Sequence, residues 1–186
     1  MDAMQQMVFD VLGRPELDKI NFKVEGTMML CIHFWGVRQG LRDNVLRASH
    51  EPSLGQGKAK YSLRYNRFKL GFTSTGGSTD REALIVHEST HAALDLCRQN
   101  KRLRVSEGIA YLAQVLYFYH KHRAAIDAGT ATPTFGDPIL AAAWEVSKGV
   151  RTSASLSRAE MQPLYDAIDA SALYAGRLDD VEQMDG

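Results

Sequence analysis

The sequence predicts a compact α+β domain dominated by helices, with one small sheet near residues 61–73. Helix signals recur along the whole chain, whereas a period of two appears in one place, "YSLRYNRFKLGF" at 61–72. Two capping boxes place helix starts, Thr79 with Glu82 and Ser157 with Glu160. A length of 186 residues and 45% hydrophobic composition suit a single domain, 1–186, with a real core.

In order along the chain, residues 1–13 read as a short amphipathic helix ended by Gly13 and Pro15. From about 28 to 48, Leu30, Phe34, Val37, Leu41 and Val45 recur at helical steps and predict a second helix. "SHEPSLGQGKAK" (49–60) holds a proline and two glycines and reads as a loop. In 61–72, Tyr61, Leu63 and Tyr65 share one face, and Phe68, Leu70 and Phe72 share a face after a phase slip at Asn66-Arg67. The slip means either a tight hairpin or a bulged single strand, and the sequence leaves both open. The Thr79 box starts a helix just before Asp80 that runs to about Arg98, with Asn100 as its stop. Further helices are expected over 107–128, closed by Gly129, over 139–149, and from Ser157 to near Leu173. The acidic tail "LDDVEQMDG" reads as frayed.

Charge removes several classes of function. Lys plus Arg and Asp plus Glu are 22 each, so no net field draws the chain to nucleic acid or to an anionic membrane. The one basic cluster, Lys101-Arg102-Leu103-Arg104, reads as cations complementing the C-terminus of the preceding helix. No apolar run approaches the roughly 20 residues needed to span a bilayer, and "MDAMQQMVFD" lacks the pattern of a signal peptide. Two cysteines, Cys31 and Cys97, are too few for a disulfide scaffold, and a cytoplasmic location is expected.

The chemistry concentrates in "DREALIVHESTHAALDLC" (80–97). His87 and His91 are four apart, which stacks both on one face of the predicted helix. Their apolar flanks make that helix central, where unpartnered polar groups cost a few kcal/mol apiece. A zinc ion removes the cost, since two neutral imidazoles bind it at about 2.0–2.1 Å. Glu88 falls between them, angled about 100° round the helix. That is the H-E-x-x-H pattern, in which the Glu serves as general base. Alone the pattern is only suggestive. A hydrolytic zinc site also needs a third protein ligand, and Glu107 can supply it. Residues 99–106 reach about 26 Å when extended, enough to bring Glu107 back beside the metal. Ser106 would then cap the following helix.

"VHESTHAALDL" followed by "SEGIAYLAQVLY" resembles the gluzincin branch of zinc metallopeptidases, and more narrowly its small single-domain members, the minigluzincins. The resemblance covers about residues 61–120. It implies a zincin-like α+β domain with a small mixed sheet whose edge strand lies over the cleft. It implies Zn2+ held by His87, His91 and Glu107, with Glu88 as base, acting on a peptide or protein substrate. Residues 61–128 would be the catalytic core, 1–60 an N-terminal cover region and 129–186 a C-terminal helical part. The small residues after Glu107 would let two helices approach closely. The alternative is a non-catalytic zinc-binding or protein-interaction module that keeps the fold.

The supporting residues are less determined. Asp95 either accepts a hydrogen bond from a ligand histidine, or is a surface carboxylate, or forms an ion pair with Arg98 or Arg102. An oxyanion donor is needed, and Tyr111 is the nearest, with Tyr165 and Tyr174 as the others. His120 and His122 read as surface residues, and Cys31 as packing. A substrate strand is expected beside residues 67–73, with Phe68 and Phe72, or Arg67 and Lys69, facing the cleft. Narrow specificity or a guarded cleft is expected, with the run from Cys31 to Trp35 as one source of cover.

Overall fold

The computed structural model describes residues 1–177 and 179–182. It is a mixed α+β fold, as the sequence predicts. Helix α1 (Ala3–Val11) is followed by the strands β1 (Phe22–Val24) and β2 (Thr27–Met29), and α2 is Cys31–Arg42. Strands β3 (Arg47–His50), β4 (Ala59–Ser62) and β5 (Arg67–Leu70) precede α3 (Thr79–Leu96). Then come β6 (Lys101–Arg102), α4 (Leu103–Asp127), α5 (Pro138–Ser153), β7 (Ser155–Leu156), α6 (Arg158–Asp169) and β8 (Val181–Glu182).

The period-two stretch is a hairpin, not a bulged strand. Strands β4 and β5 pair antiparallel, Tyr61 opposite Phe68, across a 3-10 turn at Leu63–Tyr65. Asn66 closes the turn at φ 46, a left-handed position that asparagine tolerates. Strand β3 pairs in parallel on the other side of β5, so the sheet order is β3-β5-β4. The expected loop 49–60 therefore has paired ends. Gly71, just past β5, crosses this loop: a Cβ on it would lie 1.8 Å from the Gly55 carbonyl oxygen, so glycine is required where the two backbones meet.

The single helix expected over 28–48 is corrected to a strand, a shorter helix and a strand. Thr27–Met29 pairs with β1, Leu30 is only the extended N-cap of α2, and Val45 lies half-exposed beyond the helix end. The helical period holds at Phe34, Val37 and Leu41, which α2 buries, while the hairpin with β1 takes the front end of the stretch and pairing with β5 takes the back. Strands β2, β1 and β7 form a second small sheet, with β7 parallel to β1. The tail is not wholly frayed: Val181–Glu182 pairs with Lys101–Arg102, while Leu178 and residues 183–186 lie outside the described residues.

Helix α3 is the axis of the core, buried almost all round from Glu82 to Asp95. Its cap is Ser78, one residue before the predicted Thr79, and Arg81 N–H donates to the serine hydroxyl. Glu82, freed from capping, is buried instead and accepts from the Tyr117 hydroxyl and Lys121 Nζ at 2.8 and 2.7 Å. Burial opposes its charge, but Lys121, Tyr117 and Arg14 outweigh it and hold the carboxyl below its ordinary value. The stability from this depressed group is present above the ordinary carboxylate range and lost as acid protonates it. Glu82→Gln should therefore flatten the acid limb of a melting profile, measured between pH 6 and 3 (about the range where a shifted Glu titrates).

Residues 1–60 belong to the core as much as any cover. Val8, Val11, Leu17, Ile20, Phe22 and Val24 are all buried. In the run from Cys31 to Trp35, Phe34 is fully buried while Ile32 and Trp35 are 65% and 58% exposed. No helix among the described residues is long and apolar enough to cross a membrane.

Candidate metal centre

Two helices supply three donors. His87 and His91 project from one face of α3, and Glu107 comes from α4. That helix starts at Leu103, earlier than predicted, so Glu107 stands in its second turn and Ser106 is not its cap. The Nε2 atoms of His87 and His91 are 3.4 Å apart. Glu107 lies 3.3 Å from His87 and 3.7 Å from His91, one oxygen to each. Ligands at about 2.0–2.1 Å from a tetrahedral ion stand about 3.3–3.4 Å from each other. The two histidine nitrogens and the nearer Glu107 contact have about that spacing, and one donor atom from each of the three residues lies within 4.8 Å of the others, so these residues could hold a metal. All three are buried.

The environment favours that role. His91 Nδ1 is 2.9 Å from the Ser106 hydroxyl, so a proton on Nδ1 leaves the Nε2 lone pair facing the other donors. The pairing of a ligand histidine with Ser106 escaped the sequence reading, which gave this serine to capping. His87 stacks edge-on against Tyr111, with ring centroids 4.6 Å apart, and its buried Nδ1 has no hydrogen-bond partner among the described residues. Burial pushes the Glu107 carboxyl up, but His91 and His87 more than offset it and hold it well below the usual carboxylate range. It is an anion facing two imidazoles.

Glu88 is buried beside this group and turned toward the sheet. The Tyr61 N–H donates to its Oε2 over 2.5 Å. The Tyr61 hydroxyl donates to Asp95 at 2.8 Å. Glu88 and Asp95 are seven residues apart, two turns of α3, so one residue of β4 fastens the strand along the helix. Asp95 is fully buried, so it is not a surface carboxylate, and it accepts from the Tyr61 hydroxyl. Tyr61→Phe should cost about 1.5–3 kcal/mol by removing a hydrogen bond to a buried carboxylate. Urea unfolding measures it, and the Glu88 contact, made by backbone, should survive.

The strand beside the site is β4, not residues 67–73. Strand β5 is central, flanked on both sides, so no extended peptide can add to it. Phe68 and Phe72 are fully buried and cannot face a cleft. The sequence showed which residues alternate but not which strand was outermost. Order within a sheet depends on the return of β3.

The three tyrosines separate. The Tyr174 hydroxyl donates to Glu107 Oε2 at 2.9 Å and stands 3.0 Å from the Tyr111 hydroxyl. With the proton of Tyr174 committed to the carboxylate, Tyr111 donates to Tyr174. Burial raises both phenols far above their ordinary value, so both stay protonated. The Tyr165 hydroxyl donates to Glu25 at 2.9 Å, and its ring packs over Gly108. The small residue after Glu107 thus admits α6. His120 is half-buried with an enclosed Nδ1, and His122 Nε2 lies 3.1 Å from the Thr79 hydroxyl, so neither is simply a surface residue. Cys31 opens α2, its N–H bonded to Asn21.

Comparison with known protein families, curated proteins and solved structures gave no match to this chain.

Proposed function

We propose that this chain is a zinc-dependent peptidase. Metal-donor geometry alone would serve a structural ion equally well. The observation that carries the reading is Glu88: a buried carboxylate adjoining the triad, which ligation does not require and which β4 holds in place. One of its oxygens fastens β4, and the other is left for the proton transfer that hydrolysis needs and a structural ion does not.

His87 Nε2, His91 Nε2 and a Glu107 oxygen would hold the ion. Zinc so held supplies a Lewis acid that polarises a peptide carbonyl and acidifies water. Ser106 orients His91, and Tyr174 orients Glu107. The free Glu88 oxygen takes a proton from the attacking water and delivers it to the departing amine nitrogen, while the Tyr61 N–H steadies the other oxygen. Tyr111 donates toward the oxyanion once it releases Tyr174. An extended substrate lies along the outer edge of β4, next to Glu88.

The test is digestion of unfolded casein and a mixed peptide pool by zinc-loaded protein, with Glu88→Gln as the blank. New amino termini absent from the blank support the reading. Equal products from both proteins, or none from either, reject it. A narrower outcome concerns Tyr174→Phe, which should loosen zinc about 10- to 100-fold in competition with a chelator, because a ligand loses its outer hydrogen bond.

A further inference from the structure

About 20 Å along α4 from Glu107, a cleft of about 200 Å3 opens between α4, α5 and the segment leading into β1. Its polar walls are Lys19, Asn21, Tyr119, His120, Arg123 and Arg151, with no carboxylate among the described residues that line it, and Asp127 stands behind the wall, accepting from Tyr119 and Arg123. The chain as a whole carries equal numbers of each charge, so three permanent cations on one concavity are a local departure. Clefts lined by one sign of charge concentrate the opposite ion.

The cations are free to act on a ligand. Lys19 makes no ion pair among the described residues. Arg123 is paired through Nε with Asp127 at 3.0 Å, but both side chains are about half-exposed and such pairs are weak. Arg151 is fixed by stacking, 4.3 Å over the Tyr119 ring and 4.9 Å over Trp144. Its Nε donates to the Ser147 carbonyl, and its terminal nitrogens make no hydrogen bond among the described residues. His120 Nδ1 is enclosed and unpartnered among those residues. Burial, then Lys19, Arg123 and Arg151, lower this imidazole to about 4, with Glu16 opposing them, so it is neutral at pH 7 and the cations stand close to it.

Shape narrows the ligand. Lys19 belongs to the 3-10 turn before β1, Arg123 to α4 and Arg151 to α5, so the donors converge from three directions. A planar carboxylate suits one guanidinium fork, whereas a tetrahedral oxyanion accepts from several sides. Leu116 and Val150 add an apolar wall for an organic part. We propose that this cleft binds a phosphate-bearing small molecule, held by Lys19, Arg123 and Arg151.

Inorganic phosphate is the probe, titrated at constant ionic strength against a parallel series in acetate and followed by amide and arginine Nε NMR shifts. The metal-free His87→Ala protein is used beside the wild type, so that phosphate at the metal centre is not mistaken for this site. The expected result is saturable shifts at residues 19–21, 119–123 and 150–151 in both proteins, with phosphate binding more tightly than acetate. Lys19→Gln changes an exposed side chain outside the core and should weaken phosphate about tenfold, the worth of one charge-assisted bond. Arg151→Gln should do at least as much. Linear, unsaturated shifts, equal affinity for acetate, or unchanged phosphate binding in Lys19→Gln would overturn the proposal.

Discussion

Glu88→Gln should retain zinc and lose peptide hydrolysis by about 10²–10⁴-fold, the usual worth of a positioned acid–base group. The reasoning is geometric. Glutamine keeps the volume, and its carbonyl oxygen can still accept from the Tyr61 N–H, so β4 stays fastened to α3. What disappears is the proton acceptor. If chemistry limits turnover, kcat and kcat/KM should fall together. Single-turnover rates on one cleaved peptide, with zinc content measured on the same sample, separate this from misfolding. A variant that cleaves at the wild-type rate would show that Glu88 is not the base.

Glu107→Gln should act on the other side of the same machinery. The amide has no charge to offer an ion and a weaker donor oxygen, so zinc affinity should fall more than about a hundredfold, beyond the loss expected for an outer partner. Stability should follow. Binding at a thousand times the dissociation constant adds about 4 kcal/mol to a folded protein, and that increment should shrink in the variant. Without metal the gap should narrow but keep its sign, because the two imidazoles and the Tyr174 hydroxyl more than offset the burial of the Glu107 anion and an amide holds them less well. Melting temperatures with zinc and with a chelator, for both proteins, give all four values. Equal zinc affinity in Glu107→Gln and wild type would move the third ligand elsewhere.

Much of this site was written locally. His87 and His91 owe their common face to helical spacing, and the return to Glu107 needed only a short link, so the triad could be read before any fold was known. The α3 and α6 starts were legible because caps act within four residues, although Ser78 took the role expected of Thr79. What the sequence concealed depends on pairing across distance. Residues 47–50 pair with β5 from beyond the whole of β4, and residues 27–29, at the front of a stretch with helical period, turn back in a tight hairpin on β1. Tyr61 has no local mark of its place over Glu88, because that place follows from the sheet order. Tyr174 reaches Glu107 across 67 positions, a contact that periodicity cannot announce. Ser106 was misread for a plainer reason: α4 began four residues early, turning a cap into a partner for His91.

The most direct measurement is the metal content of protein purified without added metal, wild type against His87→Ala, by elemental analysis. The account predicts about one zinc ion per wild-type chain and little or none in the variant, because three converging donors are needed to hold it. A wild-type protein free of zinc, or equal zinc in both proteins, would contradict it.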